Sequence, residues 1–326
     1  MPDLDVYFYE AFEEERAALA RCLPPGLRAG FTSRAAGETP EPAAPPASVI
    51  SVRTQSAIPP GWSGGLRAIL SRTTGYDTMR RYLDSVSEPV VCGYLPHYCA
   101  RAVAEQALLL WLALLRKLPC QTAHFRSFNR DGITGRETAG KNLLVCGVGN
   151  IGSELCAVGR GLGMNVKGVD PVRKFADVEY TPLAEGIKWA DIIVVSMNLT
   201  PFNGGLFNRR TLAGAKKGTV FVNVARGELS PCEELVALVA DGTLGAVGLD
   251  VYNEEAELGA ALRAGRRPDS AEAAAAFELA ALENVIFTPH NAFNTAEAVE
   301  RKARQSAQQL EAFFKTGRFL WPVPEK

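Results

Sequence analysis

Two doubly wound α/β domains, each built on a parallel sheet, are what this chain predicts, and three observations predict them. Short apolar runs alternate with helix-patterned segments in two successive blocks. A Gly-x-Gly-x-x-Gly turn stands between an apolar run and a helical one in the second block. The length of 326 residues, 47% of them hydrophobic, suits about two domains with ordinary cores.

In the first block the runs Val6–Tyr9, Ala29–Thr32, Val49–Val52 and Ala68–Ser71 read as strands. The insert Gly37–Ser48, GETPEPAAPPAS, reads as an extended surface loop because its prolines favour that backbone. Between the blocks, Ala100–Leu118 reads as one long helix, apolar nearly all round, the pattern of a helix buried between domains or subunits. A homodimer is one expectation from that helix and burial within one subunit is the other. Its longest apolar stretch, Ala107–Leu115, is too short to span a bilayer. The opening MPDLDVYFYEAFEEE carries acids where a secretory leader needs a positive region and a long apolar core. No membrane association is expected.

The second block carries the chemistry. In NLLVCGVGNIGSELCAVGRGLGMNVKGVD, the strand run Leu143–Cys146 leads into the glycines and Ser153–Leu162 has helical patterning. Gly147 permits the tight turn, Gly149 lets the backbone approach a pyrophosphate, and Gly152 lets helix pack closely on strand. The amides that open the helix, those of Asn150 and Ile151 among them, supply the anion site. A second strand, Val166–Val169, ends at Asp170, whose carboxylate can accept hydrogen bonds from both hydroxyls of an adenosine ribose. NAD is therefore the expected cofactor. Arg173 and Lys174 read as solvated charges, since Asp170 would repel a 2′-phosphate.

Further strands are expected at Ile192–Ser196, Val220–Val224, Ala246–Asp250 and Val285–Thr288. The Ala-rich segment Glu254–Leu282 is expected to form a lid-like loop and helix outside the sheet. The final helix, Thr295–Lys315, is expected to pack back on the first block.

Composition excludes several partners. A net charge of −1 and a pI near 6.4 give no basic field for a phosphate backbone, so nucleic acid is not expected. The seven cysteines include no CxxC pair, no metal-ligand spacing with His, and no even count for a disulfide framework. A reducing cytoplasm and no metal site follow as expectations.

Reactive residues should stand at the carboxyl ends of the later strands. Arg226 follows one in VNVARGEL, Asp250 and Glu255 follow another in GLDVYNEEAE, and His290 follows a third in FTPHNAFNT. Taken singly, such an arginine is a surface charge, such acids are solvated, and such a histidine is structural. Together at the strand ends of one dinucleotide fold they form a candidate site.

At this point the chain resembles the D-isomer-specific 2-hydroxyacid dehydrogenase family, nearest its D-lactate dehydrogenase branch. The likeness runs from about Ile69 to Phe319, through SRTTGYD, ARAVAEQALLLWLALLRK, DGITGRETAGKNLLVCGVGNIG, VNVARGEL, GLDVYNEE and TPHNAFNT. It implies a Rossmann-type cofactor domain over residues 99–292 and a flavodoxin-like substrate domain over 1–98 plus 293–326. It implies that Arg226 holds the substrate carboxylate and polarises its keto oxygen. His290 matches the general acid and base, with Glu255 orienting it and stabilising its imidazolium; Glu254 stays open as a substitute for Glu255. Asp250 matches the residue that fixes the nicotinamide carboxamide. Thr74 and Gly75 match backbone donors to the substrate carboxylate, while Tyr98 and Phe293 match aromatic residues lining the pocket. The implied substrates are small 2-keto and 2-hydroxy acids.

Two departures bear on substrate choice. Phe12 stands where some lactate-type members carry an arginine, and VVSMNLTPFNGG lacks the His and Pro of many relatives while keeping Thr200. The alternative reading is an NAD(H)-sensing corepressor-like protein of the same fold. A formate-type enzyme is disfavoured because Glu255 replaces an expected glutamine. Phosphoglycerate dehydrogenases with regulatory extensions are disfavoured because the chain ends soon after its last helix.

Overall fold

The computed structural model describes residues 4–38 and 43–325. The chain divides into two compact units, one running to Cys99 and resuming at Asn294, the other Ala100–Phe293.

The first unit holds β1 (Val6–Phe8), β2 (Ala29–Phe31), β3 (Val49–Val52), β4 (Ala68–Ser71) and β5 (Val91–Gly93), in the order β2-β1-β3-β4-β5. Every pairing among them is parallel. The central β3 and β4 are buried at every residue, as expected of strands covered on both faces, and both are apolar except for Ser51 and Ser71. β5 is not among the strands expected from the sequence. The helix Ala296–Thr316 packs on the helix Glu13–Cys22 and buries Val299, Ala303, Leu310 and Phe313. Of the loop expected at Gly37–Ser48, residues 39–42 lie outside the described residues.

The second unit holds β6 (Asn142–Cys146), β7 (Asn165–Val169), β8 (Glu179–Tyr180), β9 (Ile192–Val195), β10 (Thr219–Asn223), β11 (Leu244–Leu249) and β12 (Val285–Phe287). Their order is β12-β11-β10-β9-β6-β7-β8, again all parallel. The chain leaves β6 in one direction through β7 and β8, then returns to build β9 to β12 on the other side. That reversal opens a crevice outside the carboxyl ends of β6 and β9, where ligands of doubly wound sheets bind.

Two expectations are corrected. The segment Ala100–Leu118 is not one helix: Ala100–Leu115 ends, Lys117 turns left-handed at φ 51°, and Leu118–His124 begins anew. Pro119 sits in the first turn of the second helix, where its missing N–H costs nothing, whereas inside a continuous helix it would break the ladder. Nor is Glu254–Leu282 a lid-like loop. It forms the helices Glu255–Arg263 and Ala271–Leu279, whose Leu258, Ala273, Ala276 and Leu279 join the core of the unit. Small alanines allow that close packing. The Glu272 carboxylate anchors it by accepting from the amides of Cys232 and Glu233, 2.7 and 3.2 Å away, at the start of the helix Cys232–Ala240.

Candidate active site

In the second unit the glycine turn closes as steric necessity demands. Gly147 has φ 95°, and a Cβ there would stand 2.4 Å from the N and Cα of Met197. A Cβ on Gly152 would stand 2.0 Å from the carbonyl oxygen of Gly147, so helix and strand approach as only glycine permits. Beside Gly149 no atom lies within 4 Å of an added Cβ, which leaves that side open to a ligand. The first intrahelical bond runs from Ser153 N to Gly149 O at 2.9 Å, so the amides of Asn150, Ile151 and Gly152 precede the ladder as anion donors. At the tip of β7, Asp170 accepts from Val148 N through Oδ2 and from Val172 N through Oδ1, both at 2.8 Å. A carboxylate has about four acceptor positions, so capacity remains for two ribose hydroxyls. The turn, the open flank and the strand-tip acid fit a dinucleotide. Arg173 is exposed, and Lys174 lies 5.5 Å from the ring of Phe175.

Three neighbouring strands deliver the remaining candidates. β10 ends on Asn223, fully buried, whose Nδ2 donates to Arg226 O and Ser230 Oγ at 2.8 Å each while Oδ1 accepts from Ala225 N at 2.9 Å. This one side chain fixes the turn that carries Arg226. The guanidinium is half-buried, and its Nη1 donates to Ala225 O at 2.8 Å. Gly227 then packs so closely that an added Cβ would fall 1.8 Å from the carbonyl carbon of Tyr252.

β11 ends beside Asp250, which is fully buried and acts on the segment after β12. Its Oδ1 accepts from Thr288 Oγ1 at 2.5 Å and from Asn291 N at 2.9 Å, and its Oδ2 accepts from Ala292 N at 2.8 Å. Burial pushes the Asp250 carboxyl above its ordinary range, although those three donors and His290 pull the other way. Thr288 is pinned from other directions too. Its carbonyl accepts from Tyr252 Oη at 2.8 Å, and its hydroxyl accepts from Gln106 Nε2 at 3.3 Å. The clamp holds His290 at φ 50°, a left-handed conformation that costs a non-glycine residue about 1 kcal/mol or more.

The His290 Nδ1 lies 2.9 and 2.8 Å from the two oxygens of Glu255. Both side chains are about one-fifth exposed, at 19% and 23%. Glu254 turns elsewhere, accepting from the Ser270 hydroxyl, so the open choice between the two acids falls geometrically to Glu255. Phe293 is buried and closes this unit.

Thr74, Gly75 and Tyr98 belong to the first unit. Thr73 Oγ1 donates to Gly75 O at 2.6 Å, and the Thr74 hydroxyl meets Leu95 O at 3.3 Å and Cys99 Sγ at 3.2 Å. Tyr98 is buried, and burial raises its phenol well above the usual range. Sequence reasoning missed Asn223, Thr288, Tyr252 and Gly227, which touch the candidates rather than resemble them. A polar residue closing an apolar strand, as Asn223 closes TVFVN, was the available signal.

The comparisons agree on one family. The model for the D-isomer specific 2-hydroxyacid dehydrogenase NAD binding domain matches residues 108–292. D-lactate dehydrogenase of Escherichia coli (strain K12) is 30% identical over 253 residues, 76% of this chain and 75% of that one. Hydroxypyruvate reductase of Thermotoga maritima is 32% identical over 219 residues, covering 66% and 67%. Among solved structures, D-lactate dehydrogenase from Aquifex aeolicus, complexed with NAD and lactic acid, superposes with a TM-score of 0.83 at 26% identity, covering 98% of this chain and all of the other.

Proposed function

Since the chain belongs to the D-isomer specific 2-hydroxyacid dehydrogenase family and is an NAD-dependent enzyme, we propose that it interconverts a small 2-keto acid and its D-2-hydroxy acid with His290 as acid and base. The observation that carries this reading is the pairing of His290 Nδ1 with both oxygens of Glu255. A carboxylate at Nδ1 orients the ring and leaves Nε2 to hold and release the proton. When bound, NADH supplies the hydride that reaches the keto carbon. Arg226 offers a planar fork of donors for the substrate carboxylate and for the oxygen that gains charge. Thr74 and Gly75 are proposed as backbone donors to a substrate carboxylate, and Tyr98 and Phe293 as apolar contacts to substrate. Asp250 serves twice, toward the nicotinamide carboxamide and in holding the His290 segment through Thr288, Asn291 and Ala292. Residues 99–292 take the cofactor role and residues 1–98 with 293–326 the substrate role.

A homodimer belongs to the same proposal. Leu109 and Leu112 on the helix Ala100–Leu115 are 54% and 39% exposed, and Phe125 and Phe128 just beyond it are 75% and 74% exposed. So much apolar surface on one stretch suits a second copy. Seven free thiols support a reducing, cytoplasmic compartment.

The test is NADH oxidation by the purified protein across 2-keto acids from pyruvate to phenylpyruvate, with a His290→Ala control and an NADPH comparison. Turnover that disappears in the control supports the reading. NADH binding with no turnover of any keto acid would move the protein to the corepressor-like alternative.

A further inference from the structure

Within the second unit, the helix Ala100–Leu115 packs on β10, β11 and β12, and its buried residues, from Ala102 to Leu115, are all apolar. It lies close over β11, since an added Cβ on Gly248 would stand 3.2 Å from Leu110 Cβ and from Leu114 Cδ1. Gln106 precedes Leu110 by one turn and so shares its side of the helix. Its half-buried side chain ends at Thr288, the first residue after β12, with Nε2 3.3 Å from Oγ1. A polar amide beside apolar packing costs stability that this hydrogen bond offsets.

Chemistry fixes the direction of the bonds around Thr288. An ionised Asp250 can only accept, so the Thr288 hydroxyl gives its single proton to Oδ1 at 2.5 Å. The hydroxyl oxygen keeps its lone pairs, and the amide nitrogen of Gln106, which can only donate, engages one of them. Beyond Thr288 the chain is bracketed. The His290 amide donates to Thr288 O at 2.9 Å, while the amides of Asn291 and Ala292 donate to the two oxygens of Asp250 at 2.9 and 2.8 Å. Both halves of that bracket meet at Thr288, and between them His290 is held at φ 50° with Nδ1 against Glu255.

We propose that Gln106 is a positioning residue for His290: its amide fixes the direction of the Thr288 hydroxyl and, through Thr288 and Asp250, the aim of the imidazole. The effect on turnover rests on the dehydrogenase reading, whereas the effect on the His290 ring does not. The two are therefore measured separately.

Gln106→Met keeps the length of the side chain and removes the donor. Gln106→Glu keeps the shape and, when ionised, sets a second acceptor against the one proton of Thr288. The chain has three histidines, His97, His124 and His290, so the ring signals of isotope-labelled histidine can be assigned by nuclear magnetic resonance with His290→Ala as the reference. In Gln106→Met the His290 signals should move while those of His97 and His124 stay in place. Its kcat should fall about fivefold, the effect of one hydrogen bond, with KM for NADH and for the keto acid within about twofold of wild type. Gln106→Glu should fall further, to about a tenth of wild type or less, because a buried acceptor is then left without its proton. Unmoved His290 signals in a folded variant, wild-type kcat in both variants, or a loss carried by KM alone overturns the inference. If the wild type turns over no keto acid, the dehydrogenase reading has failed and the ring signals alone decide. Should one variant fail to fold, the other gives the same readings.

Discussion

Glu255 presents both carboxylate oxygens to His290 Nδ1, at 2.9 and 2.8 Å, from the first residue of a helix that sequence reading expected to belong to a lid. In the proposed role, two oxygens facing one nitrogen orient the ring for proton transfer. Glu255→Gln keeps the shape without the charge and should lower kcat about 10- to 100-fold. His290→Ala should lower it by about 10²- to 10⁴-fold, the usual contribution of a general acid. Steady-state kinetics decide the matter, and a Glu255→Gln enzyme with wild-type kcat would remove Glu255 from the reaction.

Thr288 links the buried Asp250 to Gln106 and, through its carbonyl, to Tyr252. Thr288→Val preserves volume but takes one donor from a buried carboxylate, so it should destabilise the protein by about 1–3 kcal/mol. The His290 segment loosens with it, and kcat should fall as well. Urea unfolding and kcat measured on the same preparation test both parts.

Glu15 and Asp250 tie stability to pH with opposite signs. Glu15 is held down to about 2 from an ordinary 4.5: burial opposes the charge, but Arg72, Lys302 and Arg53 prevail. Its contribution is therefore present above pH 4.5 and lost as pH falls toward 2. Asp250 is raised above 3.8, so the folded state holds its proton longer than the unfolded state does, and its stabilising share declines as pH rises through that window. Glu15→Gln leaves Arg72 and Lys302 buried without their counter-charge and should cost about 3–5 kcal/mol at neutral pH. Denaturant midpoints between pH 3 and pH 7 should show the acid-side loss in wild type and a flatter profile in Glu15→Gln.

Asp170 is the proposed determinant of cofactor choice. Asp170→Ala removes the charge that would repel a 2′-phosphate and also the ties to Val148 N and Val172 N. The ratio of kcat/KM for NADPH over NADH should rise by about tenfold or more. Paired assays with the two cofactors test it, and an unaltered ratio would place the selectivity elsewhere.

Much of this was legible in the sequence because parallel strands buried on both faces read as near-continuous apolar runs, and VISV, AILS, NLLVC and IIVV stand out as such. The glycine turn was legible because steric demands at Gly147 and Gly152 admit no other residue. The short β5 and β8 gave no period to detect. Lys117 gave no sign of its left-handed turn, and the alanines of 254–282 did not reveal that they fill a core. Among the site residues, those of distinctive chemistry at strand ends could be named. The roles of Asn223, Thr288 and Tyr252 arise from pairing with residues 2 to 182 positions away, which a local pattern does not encode. The Glu15–Arg72–Lys302 cluster joins three separate elements and leaves no local pattern at all.

The absent side chain at Gly227 has a wider effect than steric fit. With the Tyr252–Asn253 peptide lying where a Cβ would be, any larger residue at Gly227 must push the turn after β10, which carries Arg226, away from the turn after β11, which leads into the helix bearing Glu255.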